Sequence, residues 1–182
     1  MSRTALLFLM GMLLYQAAHT QKIIGRQGQV SFFSYTSVEN IKARNNQVSS
    51  IIDLNSSDIA ISMLMNAFVF EKALMREHFN ESYIETDIYP KASFVGKIMD
   101  FEPNQNTSQV KIIKGTFTMR GMSEELEIKT KIEPQGNLLV LSGSFETKVE
   151  AYDINIPPLL AGNIAKTITV DFIIEHEPYV EN

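Results

Sequence analysis

The sequence predicts an all-β fold, an eight-stranded antiparallel β-barrel with one helical insertion between strands, and three observations predict it. The dominant periodicity of the chain is two, the joints between its apolar runs are short and carry turn chemistry, and a single region breaks the pattern with helix-like spacing. In the segment 126–132, Leu126, Ile128 and Ile132 share one face while Glu127, Lys129 and Lys131 take the other, as a half-buried antiparallel strand requires. The same alternation places further strands at 28–38, 48–54, 59–66, 91–101, 110–119, 138–149 and 166–175. Turn residues separate them: Asn45-Asn46, Asn55-Ser56-Ser57, the stretch 102–106, Arg120-Gly121 and the stretch 134–137. Joints this short make sequential strands antiparallel neighbours. Eight strands have few ways to hide their edges, and closure removes the edges altogether.

The exception lies between the third and fourth strands. Phe70, Leu74, Met75, His78 and Phe79 recur at helical spacing within 68–86, with Glu71, Lys72, Arg76 and Glu77 on the other side, which predicts a helix. The paired prolines of 153–163 cannot join a central ladder and predict a loop near one end of the sheet.

Length and composition bound the rest. A chain of 182 residues, 45% of them hydrophobic, suffices for one domain with a sizeable core. Residues 1–20 read as a secretory signal peptide, with Arg3, an apolar run from Ala5 to Leu14 and small residues before a cleavage near Thr20/Gln21. The run is about half of the roughly 20 residues a membrane span needs, so no permanent span is expected. The domain is then 21–182, and the protein is periplasmic or otherwise exported. With no cysteine, an exported chain has neither disulfides nor a lipidated N-terminal cysteine, and its core holds the fold alone. The 21 acidic residues outnumber the 16 basic ones, and no Lys/Arg cluster offers a footprint for nucleic acid.

Chemistry is sparse. His78 and His176 are the only histidines after the leader, too few for a metal site without cysteine, and no Gly-x-Ser-x-Gly elbow, Ser-x-x-Lys motif or Gly-rich phosphate loop is present. No enzyme, metal or cofactor is expected. His78 reads first as a buried structural histidine that pins the helix to the barrel, with contact to a ligand head group as the alternative. An eight-stranded barrel is just wide enough to be filled by its own side chains or to hold one slender ligand. Both options stay open at this point. The candidate cavity wall and mouth are Met63, Met65, Phe68, Phe70, Met75, His78, Phe79, Phe94, Ile98, Phe117, Phe145, Phe172 and Ile174, joined by Leu159 and Leu160 of the Pro-Pro-Leu-Leu loop.

Four stretches, taken in order, carry a family resemblance. Glu77-His78-Phe79 is followed by Tyr89-Pro90-Lys91-Ala92-Ser93-Phe94; then come Gly115-Thr116-Phe117-Thr118-Met119-Arg120-Gly121 and Tyr152-Asp153-Ile154. Together they resemble the YceI-like family, with its Arg-Asp-x-His-Leu motif, Tyr-Pro-x-Ala-x-Phe strand start, Gly-x-Leu-Thr-x-x-Gly hairpin and Asp-Phe-Gly-Ile stretch. The resemblance runs from about residue 28 to 175. It implies a lipocalin-like, extended barrel whose apolar interior binds a polyisoprenoid chain, of isoprenoid quinone or prenyl pyrophosphate type, and it leaves room for a homodimer. The chain departs from the pattern where Met75 and Arg76 replace the usual Arg-Asp pair, which makes Arg76 the head-group candidate. The alternative function is a non-enzymatic envelope interaction or stress-related protein with a side-chain-filled barrel.

Overall fold

The computed structural model of the protein describes residues 21–35, 40–154, 156 and 165–179. Strands β1 (Lys22–Ser34), β2 (Ile41–Asp53), β3 (Asp58–Leu64), β5 (Lys91–Ile98), β6 (Gln109–Met119), β7 (Met122–Gln135), β8 (Leu138–Lys148) and β9 (Thr167–Pro178) form a single antiparallel sheet. The sheet closes because β1 pairs with both β2 and β9, so the eight long strands make a barrel without an edge. A ninth strand, β4 (Val69–Phe70), adds a two-residue bridge to Ala43 and Arg44 of β2.

The period-two pattern sets which face is inside. On β7 the even residues Ile128, Thr130 and Ile132 are buried and the odd residues Glu127, Lys129 and Lys131 are exposed. Across β6 the outward Lys114 meets Glu127 at 2.7 Å, an exposed pair that adds little stability. The β6–β7 hairpin turns on Arg120 (φ 53°) and Gly121 (φ 76°), the two left-handed residues a tight hairpin of this twist uses.

Asn45-Asn46 is not the turn its composition predicts. Asn45 sits within β2, fully buried beside a register shift against β1, and its side chain replaces ladder bonds: Nδ2 donates to the Leu64 carbonyl at 2.8 Å and Oδ1 accepts from the Gln47 amide at 2.8 Å. Strands 1 and 2 therefore begin earlier than the alternation suggests.

The helix expected over 68–86 is also much shorter. Only Ala73–His78 is α-helical (α1), followed by a wide turn over Phe79–Tyr83. Val69 and Phe70 are captured by the edge of β2, and Lys72 is still extended (φ −113°), so the apolar spacing before Ala73 belongs to a strand. The leader 1–20, the end of the first predicted strand, and Leu159 and Leu160 lie outside the described residues.

The interior is not uniform along the barrel axis. At the end where β1 begins and β9 finishes, Ile52, Ile59, Ile98, Ile132 and Leu141 are each 1% exposed or less, and the loop after β5 is tied across that end by Gln109, which bonds both backbone groups of Glu102. His176 is buried with them. Its Nε2 lies 2.9 Å from the Ser50 hydroxyl and its Nδ1 lies 3.3 Å from the Leu139 carbonyl, and burial pushes the imidazole down to about 4. The ring is neutral, donating at Nδ1 and accepting at Nε2. The opposite end carries α1 and the site.

Candidate functional site

A cavity of about 340 Å³ occupies the half of the barrel beneath the crossover between β3 and β5. Its walls come from the inward parity of the strands: Val30 and Phe32 from β1, Ile61 and Met63 from β3, Phe117 and Met119 from β6, Phe145 from β8, and Val170 and Phe172 from β9. Phe94, Ile113, Ile128 and Ile174 lie deepest. The crossover supplies the outer part with Met65, Phe68, Phe70, Met75, His78, Phe79, Tyr83 and Ile84.

Four aromatic rings organise that outer part. Phe79 stacks on Phe32 at 5.7 Å and lies 5.6 Å from Phe68 and 5.0 Å from Phe70, while Phe32 meets Phe68 at 5.4 Å. Each such pair adds about 0.5–1.5 kcal/mol beyond its buried area, which holds the wide turn over the barrel without a long helix. The rings converge because a strand and a turn bring them together. Helical periodicity has no part in it.

The rim is fixed by polar contacts around the cavity mouth. Arg120, at the β6–β7 turn, pairs with Glu85 of the crossover, donates to the Asp153 carbonyl after β8, and lies over the Tyr89 ring at 5.7 Å. One guanidinium thus joins three segments around the mouth. Its partners hold it there, with the side chain only 15% exposed. Nearby, the Glu124 carboxylate accepts from the Tyr152 phenol and the Thr147 hydroxyl, both at 2.9 Å. Burial raises the Tyr152 phenol well above its ordinary range; the Thr147 hydrogen bond opposes the rise and Glu124 reinforces it. The phenol stays protonated and donates.

Most of the sequence-predicted residues meet in this space. Met63, Met65, Phe68, Phe70, Met75, His78, Phe79, Phe94, Phe117, Phe145, Phe172 and Ile174 all line the cavity. Ile98 does not: it is buried below, in the filled end, because the barrel narrows into packed side chains before reaching it. Arg76 is exposed on α1 and absent from the lining, so the head-group candidate stands outside the cavity. His78 is exposed as well, at the lip of the cavity, and the buried structural histidine is His176. None of the residues of this short helix is buried, and of them Met75 and His78 line the cavity. Leu74, predicted on its apolar face, is 60% exposed.

Sequence reasoning missed Phe32, Ile113, Met119, Tyr83 and Thr147 as lining residues. The signal for the strand residues was present in the alternation of β1, β6 and β8. Tyr83 had none, since it depends on the wide turn. Parity also reaches His176, the next inward position of β9 after Phe172 and Ile174.

Chemically, the arrangement is a container. No Asp, Glu, Lys or Arg is among the described lining residues, and its polar groups are Ser34, His78, Tyr83 and Thr147. Among the described residues no three His, Cys, Asp or Glu side chains converge as a metal site, and no helix is long and apolar enough to cross a membrane.

Comparison with known proteins agrees with this architecture. The family model for a YceI-like domain matches residues 21–176. No curated protein matches the chain. Among solved structures, the chain is similar to a polyisoprenoid binding domain from Saccharophagus degradans implicated in plant cell wall breakdown, with 12% identity and a TM-score of 0.73 over 88% of this chain and 99% of that one. It is also similar to Burkholderia cenocepacia BcnA, with 15% identity and a TM-score of 0.69 over 81% of this chain and 95% of that one. A Campylobacter jejuni YceI protein follows, with 15% identity and a TM-score of 0.58 over 81% and 90% of the two chains. At these identities the structures speak for the fold, a closed eight-stranded antiparallel barrel with one short helix, and the match over nearly all of the barrel identifies the chain as a member of the YceI-like family.

Proposed function

We propose that this chain is an exported binding protein that holds a polyisoprenoid chain in the mouth-side half of its barrel, and that it is not an enzyme. The observation that carries the reading is the cavity of about 340 Å³ walled by apolar side chains without a charged group among the described lining residues. Transfer of hydrocarbon into such a space is favourable by about 0.8 kcal/mol for each methylene removed from water, so few polar contacts are needed. The relative from Saccharophagus degradans, described as a polyisoprenoid binding domain, supports the same ligand class.

Of the two head-group types, the uncharged one fits better. A pyrophosphate needs cations or aligned backbone amides, whereas Arg120 is engaged by Glu85 and Asp153, and Glu124 turns a carboxylate toward the same rim. An isoprenoid quinone makes no such demand. Ser34, Tyr83 and Thr147 offer the neutral polar groups that such a head would meet.

Export rests on the leader-like residues 1–20, and the start of the family match at residue 21 supports separating them from the barrel. Protein purified from its own host without added lipid tests both points. Its intact mass should correspond to a chain beginning near Gln21, and organic extraction followed by mass spectrometry should recover one isoprenoid species in stoichiometric amount. Repeated recovery of empty protein, or of fatty acyl lipids alone, overturns the ligand assignment.

A further inference from the structure

We infer that Phe94 and Phe172 form the floor of the cavity and act as a gauge that limits how much of an apolar chain the barrel admits, an inference that rests on the cavity being a chain-binding site. Three inward positions at one level of the barrel are glycines. Gly96 on β5 pairs with Gly115 on β6, and Gly143 on β8 pairs with Phe172 on β9. The rings lie down into the room those glycines leave. A Cβ on Gly96 would stand 2.9 Å from Phe94 Cε1, one on Gly115 would stand 2.8 Å from Phe94 Cζ, and one on Gly143 would stand 2.6 Å from Phe172 Cζ. Real Cβ atoms do not approach that closely, so the flat ring positions depend on the missing side chains.

The two rings reach in from opposite walls. Around the barrel the order runs β9, β8, β7, β6, β5 on one side and β9, β1, β2, β3, β5 on the other, four steps either way. Both rings line the cavity and are nearly buried, at 4% and 9% exposure. Ile98, the next inward residue of β5 beyond Gly96, is 1% exposed and does not line it. The bore therefore closes at the rings, which form its floor together with the flanking Ile113, Ile128 and Ile174, and the barrel beyond that floor is filled. A chain entering from the mouth can extend to this floor and no further.

Prenyl alcohols of one to four isoprene units, titrated into delipidated protein by calorimetry, test the gauge. For the wild type, affinity should rise about tenfold or more with each added unit and then stop rising at a limiting length. Phe94→Ala removes the six carbons of a ring, space comparable to one isoprene unit, and should move the limit one unit longer; Phe172→Ala should do the same. Ile98→Ala opens space behind the floor and should leave the limit where it is. A limit unchanged in both phenylalanine variants, with their near-ultraviolet circular dichroism native-like, overturns the inference, as does a limit that moves equally in Ile98→Ala. If the wild type binds none of the alcohols, the chain-binding reading fails instead. A crystal structure of Phe94→Ala then decides the floor alone: a cavity that reaches Ile98 upholds it, and one that still stops short overturns it.

Discussion

His176 makes the stability of the barrel sensitive to mild acid. The ring is wholly buried between Ser50 and Leu139, and burial lowers its affinity for a proton by more than its hydrogen bonds with the Leu139 and Ile174 backbone raise it. In the unfolded chain the imidazole titrates near its ordinary 6.5; in the folded chain it titrates at about 4. Between those values the unfolded state takes up a proton that the folded state refuses, so stability is complete above about pH 6.5 and is lost as pH falls toward 4. At roughly 1.4 kcal/mol for each pH unit, the loss is about 3 kcal/mol. Carboxylates also titrate toward the bottom of this range, which makes His176→Gln the proper comparison. The amide keeps a donor and an acceptor and never charges. Urea unfolding of both proteins from about pH 7 to about pH 4 should show the variant weaker by about 1–3 kcal/mol at neutral pH, with the wild type's advantage shrinking by about 3 kcal/mol as pH falls. Two stability curves that run parallel through that window would refute the assignment of a neutral, buried imidazole.

Two further outcomes follow from the polar contacts at the rim. Arg120→Met should cost about 2–3 kcal/mol, because it leaves Glu85 and the Asp153 carbonyl without their cation, and amide exchange should rise selectively at Thr86, Ile88 and Tyr89 of the crossover. Exchange that rises evenly over the whole barrel would argue against a local clamp. Tyr152→Phe should cost about 1–3 kcal/mol in chemical denaturation, since the Glu124 carboxylate then loses a buried donor while the ring's packing on Phe117 at 5.7 Å is kept. A variant as stable as the wild type would show that the Glu124–Tyr152–Thr147 network holds nothing in place.

The barrel was legible because its determinants are local and repetitive. In β7, residues 126 to 132 alone state which face is inside, and Arg120-Gly121 states where the chain reverses. What escaped was whatever depends on pairing partners. Asn45 looks like a turn residue by composition, yet it lies in a strand because its side chain satisfies the Leu64 carbonyl and the Gln47 amide where the register slips. Phe70 and Phe79 fit a helical spacing, yet β2 claims Val69 and Phe70 as a strand and the rings meet through Phe32. The cavity wall follows from parity, which fixes direction but not depth. Phe94 and Ile98 share a face of β5, and only the ring lying over Gly96 and Gly115 decides that one lines the cavity and the other lies beneath it.

Depth is also what lets one small barrel combine a rigid scaffold with an adaptable site. Beyond the rings, Ile52, Ile59, Ile98, Ile132 and Leu141 fill the bore to near-zero exposure, and the neutral His176–Ser50 pair satisfies the polar groups carried down with them. Before the rings, the wall holds Met63, Met65, Met75 and Met119, whose unbranched side chains repack around different occupants at little cost. The strands run through both halves without a break, so the filled half fixes the spacing of the walls that the open half presents. Substitutions such as His176→Gln should therefore move stability and leave the preferred ligand alone, whereas Phe94→Ala should change ligand length even where the fold tolerates it. The boundary between the two behaviours is the level of Gly96, Gly115 and Gly143.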